Sequence, residues 1–241
     1  DRCLMISDDN LNQVVNNLIN SRKPILYVGS GIRLSDSYHE LLDFLQKWPI
    51  ATVTGWNSND LLWDDHPNYC GRPGSVGNRS GNFAVQLSDC VITIGCRLNI
   101  RQVSYNWKSF AKNAWKCHID IDKAELEKPT LSSDLKIHGE IKHFFKRLDK
   151  ELENNFKNQE GETLLKWNSW ILFNKKLLKD FPATLPCQKI NNKLINPYFF
   201  VDKLFSTLSE NEIVVCGDGT ACVVTFQAAI IKKGQRLFHN S

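Results

Sequence analysis

The stretch that most constrains this chain is Lys23–Ser35, K-P-I-L-Y-V-G-S-G-I-R-L-S. Ile25, Leu26, Tyr27 and Val28 run without a polar break, the pattern of a strand buried on both faces of a parallel sheet. Gly29-Ser30-Gly31 follows directly, and Tyr38, Leu41, Leu42 and Leu45 then recur at helical spacing. Strand, glycine turn and helix in this order give backbone N–H groups a place to meet an anion. The three-glycine dinucleotide fingerprint is incomplete, because Leu34 stands where its last glycine would be. Taken alone, the turn reads either as a cofactor-binding turn or as a tight βα connection.

The same rhythm recurs downstream. Pro49–Val53 reads as a second strand ending in Thr54-Gly55-Trp56-Asn57, and Asp89–Gly95 as a third ending in Cys96-Arg97-Leu98-Asn99-Ile100-Arg101. Trp115–Asp122 is a fourth strand ending in acids, and Leu135–Gly139 a shorter fifth. Helices are expected from Asp8 or Ser7 through Ile19, from about Ser35 to Gln46, over Asn82–Leu87, and through Ile141, Phe144, Phe145 and Leu148. Alternating strands and helices predict a doubly wound, mostly parallel α/β sheet, a Rossmann-like fold. Ligands of such folds bind outside the carboxyl ends of the strands, where all four loops fall. Between the second and third strands, Asn57–Asn82 is long, irregular and rich in glycine and proline, the mark of a functional loop, lid or interface.

The remaining sequence predicts a connecting helix with Leu164, Trp167, Ile171, Leu172 and Leu178 on one face, stopped at Phe181-Pro182. A second α/β unit begins at Ile195-Asn196-Pro197. It holds a helix face of Tyr198, Val201, Leu204, Phe205 and Leu208, then a strand at Glu212–Cys216. The turn Gly217-Asp218-Gly219-Thr220, a helix through Ala221–Ile231 and a last strand start at Arg236 complete it. The expected division is 1–150 for the central domain, 151–194 for linker and connecting helix, and 195–241 for a truncated second unit. That unit is too short to bury much surface alone, so it is expected to pack against the first or to be partly disordered.

With 241 residues, the chain has room for one large domain, or one domain and part of another. A net charge of +4 with interspersed signs gives no basic run of nucleic-acid type. No apolar run approaches the ~20 residues of a membrane span. Eight cysteines without a C-x-x-C pair read as reduced thiols of a cytoplasmic protein. The six histidines are scattered and present no metal set, and His118 on its apolar strand reads as a core residue. Asp122 reads as a helix cap, with Glu125 completing a loose capping box. Both ends look cut, so a longer parent chain is expected.

Several runs carry a resemblance: V-G-S-G-I-R-L-S, T-G-W-N-S-N-D-L, Y-C-G-R-P-G-S-V-G-N-R-S-G-N-F-A-V-Q-L-S-D, V-I-T-I-G-C-R-L and H-I-D-I-D-K-A-E. In this order and spacing they resemble the central domain of thiamine diphosphate (ThDP)-dependent enzymes, the acetolactate synthase group in particular, over about residues 10–148. I-N-P-Y and E-I-V-V-C-G-D-G-T are similar to the start of that family's C-terminal, diphosphate-binding domain.

The resemblance implies a parent carboligase or decarboxylase acting on a 2-keto acid such as pyruvate, with ThDP and Mg²⁺ and a homodimeric or homotetrameric assembly. The fragment itself is expected to be inactive, with no catalytic residue and no metal ligand in this chain. It implies a structural FAD in the central domain, at Gly29, Ser30, Gly31, Thr54, Gly55, Gly71, Gly74, Gly95, Arg97, Arg101, Asp120 and Ile121. Gly219 and Thr220 would face the diphosphate of ThDP. Asp218 and Asn240 are the only metal candidates near that turn. The chain departs from the family pattern at Leu98-Asn99-Ile100, where an acidic pair is usual, and at Arg72-Pro73, where Met-His is frequent. It departs again at Glu140, in place of aspartate. FAD, ADP and an empty crevice therefore stay open. So does a nucleotide-binding or purely structural α/β module similar in fold to NAD-dependent deacetylases, although no zinc-binding cysteine quartet supports that variant.

Overall fold

The computed structural model describes residues 4–156, 161–189 and 194–239. Ser7 caps the first helix, α1 (Asp8–Asn20), by accepting the Asn10 N–H at 3.2 Å, and the helix buries Leu11, Val14, Val15 and Leu18. Strand β1 (Pro24–Val28) is buried at every position. The helix expected over about Ser35–Gln46 forms as α3 (Tyr38–Lys47), and a short unexpected helix, α2 (Gly31–Leu34), precedes it. The break between them has a local cause. Asp36 takes a left-handed φ of 52°, and the Ser35 hydroxyl donates back to Gly31 O at 2.7 Å, which competes with helix continuation.

Strand β2 (Ala51–Thr54) leads through the irregular segment to α4 (Arg79–Gln86), capped by Asn78. Then come β3 (Cys90–Ile94), α5 (Ile100–Val103), β4 (Trp115–Asp120), α6 (Lys123–Glu127), β5 (Leu135–His138) and α7 (Ile141–Phe156). All pairings are parallel, in the order β2-β1-β3-β4-β5. The chain moves outward from β1 to β2 and then returns to the other side of β1 for β3. The strand order thus reverses at β1/β3, where open α/β sheets form their binding crevice.

Side chains alternate across the sheet. Leu26, Val28, Ile92, Ile94 and Ile119 face a core shared with α1, α3 and α7, while Ile25, Tyr27 and Val91 face one shared with α4. The long helix α8 (Glu162–Asp180) closes this second side, and its fully buried Trp167 donates Nε1–H to Ser21 O at 3.2 Å. Its inward face is Trp167, Trp170, Ile171 and Asn174. Leu172, expected on that face, lies 70% exposed because it sits on the far side of the helix from Trp167 and Asn174.

The second unit is α9 (Pro197–Thr207), β6 (Ile213–Cys216), α10 (Thr220–Ala228) and β7 (Arg236–His239), with β6 and β7 parallel. Helix α10 ends at Ala228, short of the expected Ile231. Val201, Phe205, Val224, Ala228 and Leu237 form a small core, and Trp56 of the first unit packs on Phe226 and Cys222 of the second. The second unit thus packs against the first. No helix among the described residues is long and apolar enough to cross a membrane.

Candidate functional site

At the β1/β3 reversal the carboxyl ends of β1, β3 and β4 open onto a cavity of about 590 Å³, within the range of small-molecule sites. Its floor is made by backbone. Gly29 N–H donates to Ile94 O at 3.0 Å and Gly31 N–H to Gly95 O at 2.9 Å, so the first turn rests on the third. The glycines are needed for this contact. A Cβ on Gly29 would lie 2.2 Å from Gly95 O, and one on Gly31 2.6 Å from Gly95 Cα; Gly95 itself holds φ at +54°. Ser30 and Gly31 line the cavity beside Gly95, and the Ser30 hydroxyl makes no cap bond.

Arg97 stands on the rim with its side chain 73% exposed, and its Nε donates to Glu125 Oε1 at 2.6 Å. Glu125 also accepts from Lys128 Nζ at 3.0 Å. Burial alone would raise the Glu125 carboxyl, but hydrogen bonds from Lys128 and Arg97 outweigh it and hold the group below its ordinary value. The capping box expected at α6 is therefore not made. Asp122 caps the helix through Ala124 N–H at 2.9 Å, while the Glu125 side chain turns to the two cations. Asp120 is buried at the end of β4 and accepts the Asp122 N–H at 2.9 Å. Ile121 next to it is exposed, and Glu140, Ile141 and Lys142 form the opposite wall.

The structure thus brings Ser30, Gly31, Gly95, Arg97, Asp120 and Ile121 together around one cavity, with Gly29 beneath it. Thr54, Gly55, Gly71, Gly74 and Arg101 lie elsewhere. Gly55 N–H donates to Val28 O, and a Cβ on Gly55 would meet Gln102 Nε2 at 2.4 Å. Thr54 is fully buried and its N–H donates to Gly71 O at 3.2 Å. Gly71 and Gly74 hold φ of +117° and +137°, and Gly74 packs on Arg101 O. The Arg101 guanidinium lies 5.1 Å from the ring of Trp56, a residue outside the crevice lining. In that unit Gly219 holds φ at +70°, and a Cβ built there meets nothing within 4 Å, so the turn before Thr220 is open.

Sequence reasoning missed the seam between the units. Arg72, 1% exposed, donates from Nη1 to Phe226 O and Ala229 O, both at 2.9 Å, and from Nη2 to Asp64 Oδ2 at 2.8 Å. Asp64 also accepts the Ile231 N–H at 2.7 Å, and Asp60 accepts from Arg236 Nε and from the Leu237 N–H. The usable signal was an arginine, Arg72, with three upstream aspartates, Asp60, Asp64 and Asp65, inside a loop too long for a mere connection. His118 is a core residue whose Nε2 lies 3.0 Å from Cys96 O, and burial lowers its pKa. Among the described residues no group of three or more His, Cys, Asp or Glu could hold a metal; Asn240 lies outside them.

The family model for the central domain of thiamine pyrophosphate enzymes matches residues 11–148. A probable acetolactate synthase large subunit from Methanococcus aeolicus is 28% identical over 81% of this chain and 32% of its own length. The acetolactate synthase large subunit of Corynebacterium glutamicum is 31% identical over 87% of this chain and 32% of its own. That of Cyanidium caldarium is 30% identical over 78% and 31%. The chain thus spans about a third of the length of these relatives. Since the match takes in every strand of the five-stranded sheet and the crevice at its strand ends, the chain belongs to the thiamine pyrophosphate enzymes, of whose central domain it carries the fold.

Proposed function

We propose that this chain is the middle part of a ThDP-dependent enzyme of the acetolactate synthase type, acting on 2-keto acids such as pyruvate, and that its crevice binds the ADP portion of a structural FAD. The observation that carries the reading is the convergence of Ser30, Gly31, Gly95, Arg97, Asp120 and Ile121 on one cavity at the strand-order reversal.

The donor set fits the group. Ser30 and the Gly31–Gly95 backbone allow close approach of a diphosphate, and Arg97 can neutralise it with its terminal nitrogens. Asp120 offers a carboxylate to a ribose hydroxyl, and exposed Ile121 offers apolar surface to a base. Among the described residues the cations lining the cavity are Arg97 and Lys142; Lys142 is paired with Asp36 and Glu40, which leaves Arg97 to set the place of the diphosphate.

In this reading 1–150 form the central domain, 151–194 the linker and connecting helix, and 195–241 the start of the ThDP-binding domain. ThDP, when bound, supplies stabilisation of an acyl carbanion equivalent; this chain contributes the open turn at Gly219 and Thr220 toward its diphosphate. The described residues offer no Mg²⁺ cage. The chain alone is inactive, and the whole enzyme is a cytoplasmic homodimer or homotetramer.

The test is to incubate the protein with FAD and, separately, with ADP, then remove free ligand. Retained visible flavin absorbance supports FAD. Calorimetric binding of ADP without flavin retention narrows the ligand to ADP. Binding of neither overturns the nucleotide reading.

A further inference from the structure

Arg97 is poised rather than anchored. Its Nε is committed to Glu125, and among the described residues its terminal nitrogens take no protein acceptor. An exposed arginine with one short bond would sample many directions unless the loop beneath it is fixed. That loop is under strain. Leu98, a buried non-glycine residue, holds φ at +47°, a conformation that persists only where the surroundings impose it.

Two sets of contacts impose it. From one side, Asn99 caps α5 in a full capping box with Gln102, and Gln102 Nε2 reaches Cys96 Sγ at 3.1 Å. From the other comes Lys128. Its Nζ donates to Arg97 O, to Leu98 O at 3.4 Å and to Glu125 Oε2 at 3.0 Å. An ammonium has three protons, and all three are directed at this loop and at the carboxylate that holds Arg97. Lys128, just past the end of α6, is only 20% exposed on its side chain, against 68% for Lys123 at the start of that helix. It does not line the crevice.

We propose that Lys128 is a positioning residue for the crevice: by bridging the carbonyls of the strained Arg97–Leu98 loop to Glu125, it aims the terminal nitrogens of Arg97 at the ligand's diphosphate. The proposal rests on the nucleotide reading of the crevice. Lys128 does not meet the ligand itself; it acts through Arg97, Leu98 and Glu125, of which Arg97 does.

The experiment measures ADP affinity by calorimetry in the wild type, Lys128→Met, Lys128→Arg and Lys123→Met, together with amide exchange over residues 96–103 without nucleotide. Lys128→Met is expected to weaken ADP about tenfold, the loss of one charge-assisted hydrogen-bond set, and to speed exchange in the loop. Lys128→Arg, which keeps charge and donors, is expected to stay within about threefold of wild type. Lys123→Met removes an equal charge from α6 and is expected to change neither readout. Wild-type affinity in Lys128→Met overturns the proposal, and so does an equal loss in Lys123→Met, which would make the effect plain electrostatics. If the wild type binds no ADP, the nucleotide reading fails by itself, and exchange then decides: faster exchange in Lys128→Met supports the hold on the loop, and unchanged exchange overturns it.

Discussion

Two arginines divide this molecule. Arg72 is buried in the seam between the units, where three of its hydrogen bonds end on protein acceptors from both sides. Arg97 stands 73% exposed on the crevice rim with one protein bond. A guanidinium offers five donors in a fixed fork. Where the protein itself supplies the acceptors the arginine is a tie. Where it supplies one and leaves the fork facing a cavity, the arginine is available to a ligand. Both lie in loops, and neither role follows from residue type.

The largest expected effect breaks the tie. Arg72→Met leaves the partly buried Asp64 carboxylate without its cation and the Phe226 and Ala229 carbonyls without donors, at a cost of about 3–5 kcal/mol in unfolding stability. Amide exchange should rise over 197–239 well before it rises in β1–β5. Arg97→Met should cost under about 0.5 kcal/mol, as exposed pairs do, and should affect ADP binding instead. Equal destabilisation in urea titrations of the two variants would erase the distinction between them.

A smaller effect comes from protons. In the seam segment, His66 Nδ1 accepts the Asn68 N–H at 3.1 Å, which only the neutral ring can do, and Lys175 donates to His66 O at 2.7 Å. Burial, with the Lys175 charge, lowers His66 from 6.5 to about 4. A base with a lowered folded pKa binds its proton more readily in the unfolded chain. Stability is therefore full above 6.5, falls as pH drops from 6.5 toward about 4, and then levels. The full shift would be worth about 3 kcal/mol, which solvent screening reduces to ~2 kcal/mol, and His66→Asn should flatten the wild-type slope in that window. The crevice behaves with the other sign of group. Glu125 is held low, so its contribution survives until pH falls below its ordinary 4.5. Loosening of the seam should precede loosening of the crevice as acid is added.

The sheet was legible because parallel strands buried on both faces leave continuous apolar runs, as Ile25–Val28 and Val91–Ile94 do. The crevice was legible in part. Turns after β1, β3 and β4 meet because those strands are successive neighbours, whereas β2 lies on the other side of β1, which takes Thr54 and Gly55 away. Strand order is a long-range property that local periodicity does not encode. Gly29 and Gly31 were identifiable as special, but the atoms that demand them, Gly95 O and Gly95 Cα, are distant in sequence. The same holds for Arg72, whose acceptors at Phe226 and Ala229 lie far down the chain. The short helix α2 and the outward turn of Leu172 were invisible for a simpler reason: four residues after a glycine turn carry no apolar period in the first case, and apolar spacing fits a broader buried face in the second.

The smallest effect tests whether the crevice is organised from behind. Helix α6 is short, and its start depends on Asp122, whose carboxylate accepts the Ala124 N–H at 2.9 Å. Asp122→Ala removes that cap, for about 1 kcal/mol. The helix carries Glu125, and Lys128 follows its end, so a looser α6 blurs the direction of Arg97 without removing any of its partners. ADP affinity should then fall by about threefold at most, less than in Lys128→Met, while Arg72-dependent stability stays as it was. A loss as large as that of Lys128→Met would mean instead that Asp122, which also lines the cavity, touches the nucleotide directly. The rim would then be built from ligand contacts, and the contrast between an arginine held by protein and one presented to a ligand would rest on Arg97 and Asp122 together.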